Sequence, residues 1–327
     1  MLDLKVGYSC NNCCIHCVVE PRRLKFCDTG ESQNLTYGEL VSKIRDNSHL
    51  LSDYLVITGG EPTIRKDFGR LLKFLHREFP NLEVVIQTNG RALKNHADDV
   101  IQLIENGMNL FFVIAIHSQY EDTHNIIANS ATGNPYRETL DSLDFFINTL
   151  GDRFKFRTET VLSHKNINDI CEIVEFLINK KAKVIGLSYP HLDGFRNISF
   201  DLARNIGFGY DKLIDKMPKL YEIIVSNPEI KFELEEFPRC IWRDKDGKLL
   251  SLPNNVRINP NNININKDCN VSFVESGAEE FDSIFKSMRR WYRECEECDL
   301  CCTCPGVWDE VTDLYEECYF NPIKRGE

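Results

Sequence analysis

No apolar run in this sequence is long enough to cross a bilayer, and its N-terminus lacks the charged-then-apolar layout of a secretion signal. Both absences predict a cytoplasmic protein with no membrane partner. Basic charge is also short: 39 Lys and Arg against 50 Asp and Glu leave a formal net charge of −11. A broad nucleic-acid surface needs a basic face to neutralise phosphates, so no nucleic-acid partner is expected. Arg22-Arg23-Leu24-Lys25 is too short to supply such a face. There are no internal repeats, which argues against a solenoid. Cysteine is scarce in the middle of the chain, where only Cys171, Cys240 and Cys269 occur.

The remaining cysteines gather at the two ends. Of 14 in 327 residues, five lie at positions 10–27 and six at 295–318. Without a secretion signal, such a set argues against a disulfide scaffold and for metal ligation in a reducing compartment, one region at each end. A composition 42% hydrophobic and 27% charged suits one large globular domain or one and a half.

The apolar residues of Leu2-Asp3-Leu4-Lys5-Val6-Gly7-Tyr8 alternate as on a half-buried strand. Cys10-Asn11-Asn12-Cys13-Cys14-Ile15-His16-Cys17 therefore occupies the loop at its end. Within it Cys10, Cys14 and Cys17 form a C-x3-C-x2-C triplet. Three thiolates can hold three corners of a cubic iron–sulfur cluster, where a closed cluster takes four. A site one ligand short leaves a metal open to a reactant. The same thiolates suit zinc. Thr36 is placed as an N-cap for a helix over Tyr37–His49. Tyr54–Thr58 then reads as a buried strand running into Gly59-Gly60-Glu61-Pro62. The glycines suit a tight turn, and equally a close approach of main chain to a ligand. Glu61 offers the acceptor that an ammonium group needs.

These two motifs, in this order, resemble the radical S-adenosylmethionine (SAM) superfamily. The resemblance implies a [4Fe–4S] cluster on Cys10, Cys14 and Cys17, its fourth iron chelated by SAM, with Gly59, Gly60, Glu61 and Pro62 holding the SAM amino group. In that chemistry SAM is cleaved to methionine and a 5′-deoxyadenosyl radical, which abstracts hydrogen from the substrate. The residue before the third cysteine, usually an aromatic lying along the adenine, is His16 here. An imidazole can still stack, with altered pH sensitivity. Cys13 does not fit the spacing and reads as a bystander.

Alternation continues along the chain. Helices are predicted over Asp67–Phe79, Ala97–Asn106, Arg137–Leu150 and Ile167–Asn179, and strands over Leu82–Gln87, Leu110–Ile116, Phe154–Leu162 and Val184–Ser188. Six βα units with nearly continuous apolar strands predict a parallel sheet covered by helices, a (βα)6 partial TIM barrel, with chemistry at the C-terminal strand ends. The resemblance places Thr88 and Asn89 near SAM, Ser118 at its ribose and Arg157 at its carboxylate. From the residues alone, Thr88-Asn89-Gly90 is an ordinary turn, His117 a packed strand-end histidine, and Arg157 with Glu159 a solvated edge pair.

Asp201–Ser226 reads as a longer helix and the asparagine-rich Asn254–Asn266 as a loop. Further on, Cys295, Cys298 and Cys304 are spaced C-x2-C-x5-C. This resembles the core of the SPASM/Twitch extension, which carries auxiliary iron–sulfur clusters. Trp308 fills the next cysteine position of the two-cluster pattern, so we expect the one-cluster version, with Cys240 as the distant fourth ligand. A rival set, Cys301, Cys304 and Cys318, is spaced like the auxiliary site of the molybdopterin-precursor cyclase, whose C-terminal Gly-Gly is absent. A zinc ribbon is the remaining alternative. The expected domains are a core at 1–226 and a cysteine-rich extension at 227–327.

The resemblance implies SAM, a SAM-binding cluster, an auxiliary [4Fe–4S] cluster and an electron donor such as flavodoxin or ferredoxin. The expected reaction is oxidative modification of a peptide or protein side chain, although no leader-capture domain precedes the first strand. A dehydrogenase or cyclase acting on a small molecule is the alternative. A third, from another class, is a non-catalytic metal-binding or redox-sensing protein.

Overall fold

The computed structural model describes residues 2–19, 34–51, 53–191, 203, 206–258, 272–273, 289–301, 304, 306–308, 311, 314–315, 320 and 322–324. Cys27, Cys269, Cys302 and Cys318 lie outside the described residues. The chain forms two compact units, one of Met1–Ile116, His124–Thr158 and Asp268–Phe281, the other of His117–Thr123, Glu159–Lys267 and Asp282–Glu327.

In the first unit β1 (Leu2–Lys5), β2 (Tyr54–Thr58), β3 (Glu83–Thr88) and β4 (Leu110–Ala115) pair in parallel, in sequence order. The register sets Leu4 beside Ile57 and Val84 beside Leu110. Their apolar runs supply a core in which Leu55, Ile57, Ile86 and Phe112 are fully buried. Helices α1 (Tyr37–Asp46), α2 (Phe68–Glu78) and α3 (Ala97–Glu105) fill the connections, as parallel strands require. The α1 start is fixed by a capping box: Thr36 Oγ1 accepts from the Glu39 amide at 3.3 Å, and Glu39 accepts from the Thr36 amide at 2.7 Å. α4 (Glu121–Ala128) was not foreseen in the sequence. α5 (Pro135–Leu150) begins at an Asn134 cap with proline in its first turn.

β5 (Phe156–Val161) has residues in both units. In the second unit β6 (Val184–Ser188) pairs in parallel with β7 (Lys231–Glu235), and β7 with β8 (Val256–Ile258). α6 (Ile170–Asn179) packs against α7 (Tyr210–Ser226). The fold class is the expected one, an open parallel α/β sheet of partial-barrel type. It differs in extent, because β7 and β8 add strands beyond the six βα units. Val256–Ile258 is strand where a loop was expected, and 259–266 lies outside the described residues. β9 (Ser272–Phe273) joins the other edge, beside β1, and β10 (Arg289–Arg290) pairs antiparallel with β11 (Val307–Trp308). Among the described residues no helix is long and apolar enough to cross a membrane.

Candidate active site and cysteine-lined cavity

In the first unit the cysteine loop leaves β1 at its C-terminal end. Main-chain bonds anchor it: the Cys13 amide donates to Ala128 O at 3.1 Å and the Ile15 amide to Ile127 O at 3.0 Å, at the end of α4. The Cys17 amide donates to Cys14 O at 3.0 Å, closing a turn that holds His16 half-buried. Burial raises the Cys14 thiol, and the neighbouring Cys17 and Cys10 push the same way. Cys13 is not among the groups acting on it.

Gly59 and Gly60 lie against the start of this loop. The Gly60 amide donates to Gly7 O at 2.8 Å and the Glu61 amide to Ser9 O at 2.9 Å. A Cβ on Gly59 would collide with the Gly7 carbonyl, and one on Gly60 with the Ser9 carbonyl. Gly59 also has φ +127°, where side chains are disfavoured. The glycines are therefore required by contact between two loop backbones, which a free-standing turn would not need. Pro62 opens a short 3-10 turn, Pro62–Ile64, behind them.

Glu61 is 3% exposed and makes a four-bond clasp. Oε1 accepts from the Thr63 amide (3.0 Å), Thr63 Oγ1 (2.6 Å) and Thr88 Oγ1 (2.6 Å), and Oε2 from the Asn89 amide (2.6 Å). Burial raises its carboxyl, and these donors oppose the shift. The clasp ties the β2 and β3 ends together. Replacement by Gln sets an NH2 group against donors. Glu61→Gln is expected to weaken SAM binding by roughly 1.5–3 kcal/mol without loss of cluster iron. Calorimetric titration with SAM and an iron assay check this, and unchanged affinity in an iron-replete variant would sink it.

Asn89 Nδ2 donates to Asn11 Oδ1 at 2.8 Å, carrying the β3 end to the cysteine loop. Arg91 was not singled out by sequence reasoning, yet it is the hub of this region. Its side chain is 4% exposed, pairs with Glu138 at 2.7 Å, and also donates to Asn11 O, Asn12 Oδ1, Ser130 Oγ and Thr132 O. Its only sequence signal was its place after the Asn89-Gly90 turn.

His124, buried on α4, is held at about 4 instead of 6.5 by burial and then by the Arg91 charge. Below pH 6.5 the unfolded chain takes up a proton that the folded chain refuses. The contribution is full above that pH and is lost as pH falls toward 4. Between about pH 7.5 and about pH 5 the expected loss is about 2 kcal/mol, read from urea midpoints. His124→Phe should flatten this slope, and an unchanged slope would contradict the assignment.

Ser118, in the second unit, is fully buried, and its Oγ accepts from the Tyr120 amide at 3.0 Å. Arg157 and Glu159 share one half-buried face of β5, while Phe156, Thr158 and Thr160 occupy the buried one. Glu159 accepts from Ser188 Oγ at 2.5 Å, and its carboxylate lies against Gly186, where there is no Cβ to displace it. A solvated edge position does not describe it.

The second unit also contains a cavity lined by Cys240, Cys295, Cys298, Cys301 and Cys304, with apolar walls from Pro238, Val307, Phe320 and Pro322. Consecutive turns place the tail thiols: the Cys298 amide donates to Cys295 O (3.1 Å), that of Cys301 to Cys298 O (3.0 Å) and that of Cys304 to Leu300 O (2.8 Å). Burial pushes the Cys240 thiol up to about 12, and Cys304, Cys295 and Cys298 push the same way. Cys295 is raised by burial, with Cys304 and Cys298 contributing. Cys301 lines the same cavity.

The radical SAM superfamily profile matches residues 4–177, more than half of the chain. The chain belongs to the radical SAM superfamily. Its cysteine-rich C-terminal region fits an extension of the SPASM type. Curated relatives include a Methanocaldococcus jannaschii protein named for glycyl-radical enzyme activation, 28% identical over 177 residues, and the GTP 3′,8-cyclase of Nautilia profundicola, 24% identical over 282 residues. The match covers 53% of this chain and 61% of the first, and 82% of this chain and 76% of the second. Among solved structures, anSMEcpe with AdoMet and the Cp18Cys peptide gives a TM-score of 0.61 at 14% identity, covering 98% of this chain and 92% of that one. Streptococcus suis SuiB bound to its precursor peptide SuiA gives 0.51 at 17%, covering 71% of this chain and 48% of that one. Both likenesses concern the fold. The chain spans about half the length of SuiB.

Family membership implies a [4Fe–4S] cluster and SAM, and the donor sets fit iron–sulfur groups. Buried thiols whose neighbours oppose ionisation are unfavourable as bare thiolates, and a cationic cluster offsets that cost.

Proposed function

We propose that this radical SAM enzyme carries out oxidative modification of a peptide or protein side chain. The observation that carries this reading is the second-unit cavity, where Cys240 joins Cys295, Cys298 and Cys304. Four cysteine ligands leave an auxiliary cluster no open iron, which suits electron transfer rather than substrate anchoring. Such an acceptor suits net oxidation, because a substrate radical left by hydrogen abstraction can pass one electron to it and release one proton, giving a product short of two hydrogens. Two fold neighbours, SuiB and anSMEcpe, are known in peptide complexes, which supports a peptide as substrate.

In this reading Cys10, Cys14 and Cys17 hold the SAM-binding cluster. When bound, that cluster supplies one electron for reductive cleavage of SAM to the 5′-deoxyadenosyl radical. The chain's own part is to bind and orient. The main chain at Gly59-Gly60-Glu61-Pro62, with Thr88 and Asn89, cradles the methionine end of SAM. His16 would lie along the adenine and Arg157 would meet the carboxylate, while Ser118, the ribose contact of the family pattern, belongs to the other unit. A flavodoxin or ferredoxin serves as electron donor.

A second reading, cyclisation of a small molecule, is favoured by the match to GTP 3′,8-cyclase over 82% of the chain. Anaerobic incubation with SAM and dithionite, in parallel with GTP and with synthetic peptides encoded by reading frames beside the gene, decides between them. A peptide product lacking two hydrogens is expected. SAM-dependent consumption of GTP with no peptide change would transfer the assignment to the cyclase.

A further inference from the structure

Arg91 presents only donors, since a guanidinium has no acceptor. Its Nη1 lies 2.7 Å from Asn12 Oδ1, so the amide oxygen of Asn12 must face the guanidinium. The NH2 group is thereby turned the other way, and the Asn12 side chain favours the ionised form of Cys14. The main-chain amide of Asn12 donates to the Cys10 sulfur at 3.4 Å. One asparagine, 4% exposed, thus donates its main-chain N–H to the Cys10 sulfur and, with its amide oxygen held by Arg91, leaves its side-chain NH2 to serve the neighbouring thiolate. Asn89 Nδ2 reaches the Cys10 sulfur only at 3.9 Å, being committed to Asn11 Oδ1 at 2.8 Å. Arg91 is in turn fixed by Glu138 at 2.7 Å, Ser130 at 2.8 Å and Thr132 at 2.7 Å.

Hydrogen bonds to cluster sulfurs set reduction potential, because they withdraw electron density and favour the more negative, reduced state. We propose that Asn12 raises the potential of the cluster on Cys10, Cys14 and Cys17, and that Arg91 is the positioning residue that fixes the Asn12 amide for this task. The inference rests on the reading of the triplet as the cluster site. A bland alternative is that both residues only hold the loop in place. That role would change iron occupancy or stability but not the potential of the clusters formed.

The test is an EPR-monitored redox titration of the reconstituted full chain. Asn12→Leu removes the side-chain donor without adding charge. Asn12→Asp keeps an acceptor for Arg91 but turns an oxygen toward sulfur. Arg91→Lys keeps the charge and loses the fork. All three should lower the midpoint, Asn12→Leu by about tenfold in the oxidised-to-reduced ratio, or about 59 mV for one electron. In wild-type protein labelled with 15N-asparagine, the reduced cluster should show 15N couplings in pulsed EPR, a readout independent of whether any variant folds. Unshifted midpoints in iron-replete variants, or no 15N coupling in the wild type, would overturn the proposal. A wild-type chain that takes up no cluster at these cysteines would overturn the reading beneath it as well.

Discussion

Replacing Cys10, Cys14 or Cys17 by Ala is expected to abolish 5′-deoxyadenosine formation from SAM under dithionite, while Cys13→Ala retains it. The loop explains the contrast. Cys10 and Cys17 act on the half-buried Cys14 thiol, and Cys13 stands outside the C-x3-C-x2-C spacing. The Cys13 contribution to the loop is its main-chain amide, bonded to Ala128 O at 3.1 Å, which alanine keeps. A cubic cluster left with two protein thiolates loses its hold, so the effect is on cluster assembly as much as on turnover. Chromatographic detection of 5′-deoxyadenosine alongside an iron assay separates the two. Loss of activity in Cys13→Ala alone would show that the ligand set has been assigned wrongly.

The second large effect is expected at Cys240. Cys240→Ala should convert the auxiliary cluster to a three-ligand form that binds added thiols, seen as a changed paramagnetic signal. Cys240 comes from a segment far from the tail in sequence, yet it shares the cavity with Cys295, Cys298 and Cys304. Cys301 lines that cavity too and is a candidate to take a vacated position. The double variant Cys240→Ala with Cys301→Ala therefore belongs in the same experiment, and should show the three-ligand signal in full. Unchanged spectra in Cys240→Ala, with a change only in the double variant, would move the assignment to the Cys301, Cys304 and Cys318 set, Cys318 lying outside the described residues. That set would have an open iron, and the small-molecule reading would gain.

Much of the first unit was legible in the sequence because its determinants are local. A short apolar run rich in β-branched and aromatic residues, such as Leu110–Ala115, suits a buried strand better than a helix, and the cysteine spacing is a one-loop property. β7 was harder, since Lys231–Glu235 mixes charge with its two buried residues, Phe232 and Leu234. β8 is three residues in an asparagine-rich stretch, where pairing to β7 outweighs local preference. In the site, the Gly59-Gly60-Glu61 motif was visible but not what it touches. The glycines meet the Gly7 and Ser9 carbonyls, and the carboxylate clasps Thr63, Thr88 and Asn89. Arg91 could not be found from sequence, because a buried arginine is specified by acceptors 39 to 80 residues away. Nor does spacing reveal that Cys301 shares the cavity with Cys240.

The iron content of the anaerobically reconstituted chain tests the account most directly. Two separate thiol sets, one three-ligand and one four-ligand, predict about eight irons per chain, in two cubic clusters of about four each. About four irons would mean that the Cys240 cavity holds no cluster, and about twelve would mean that the tail holds two.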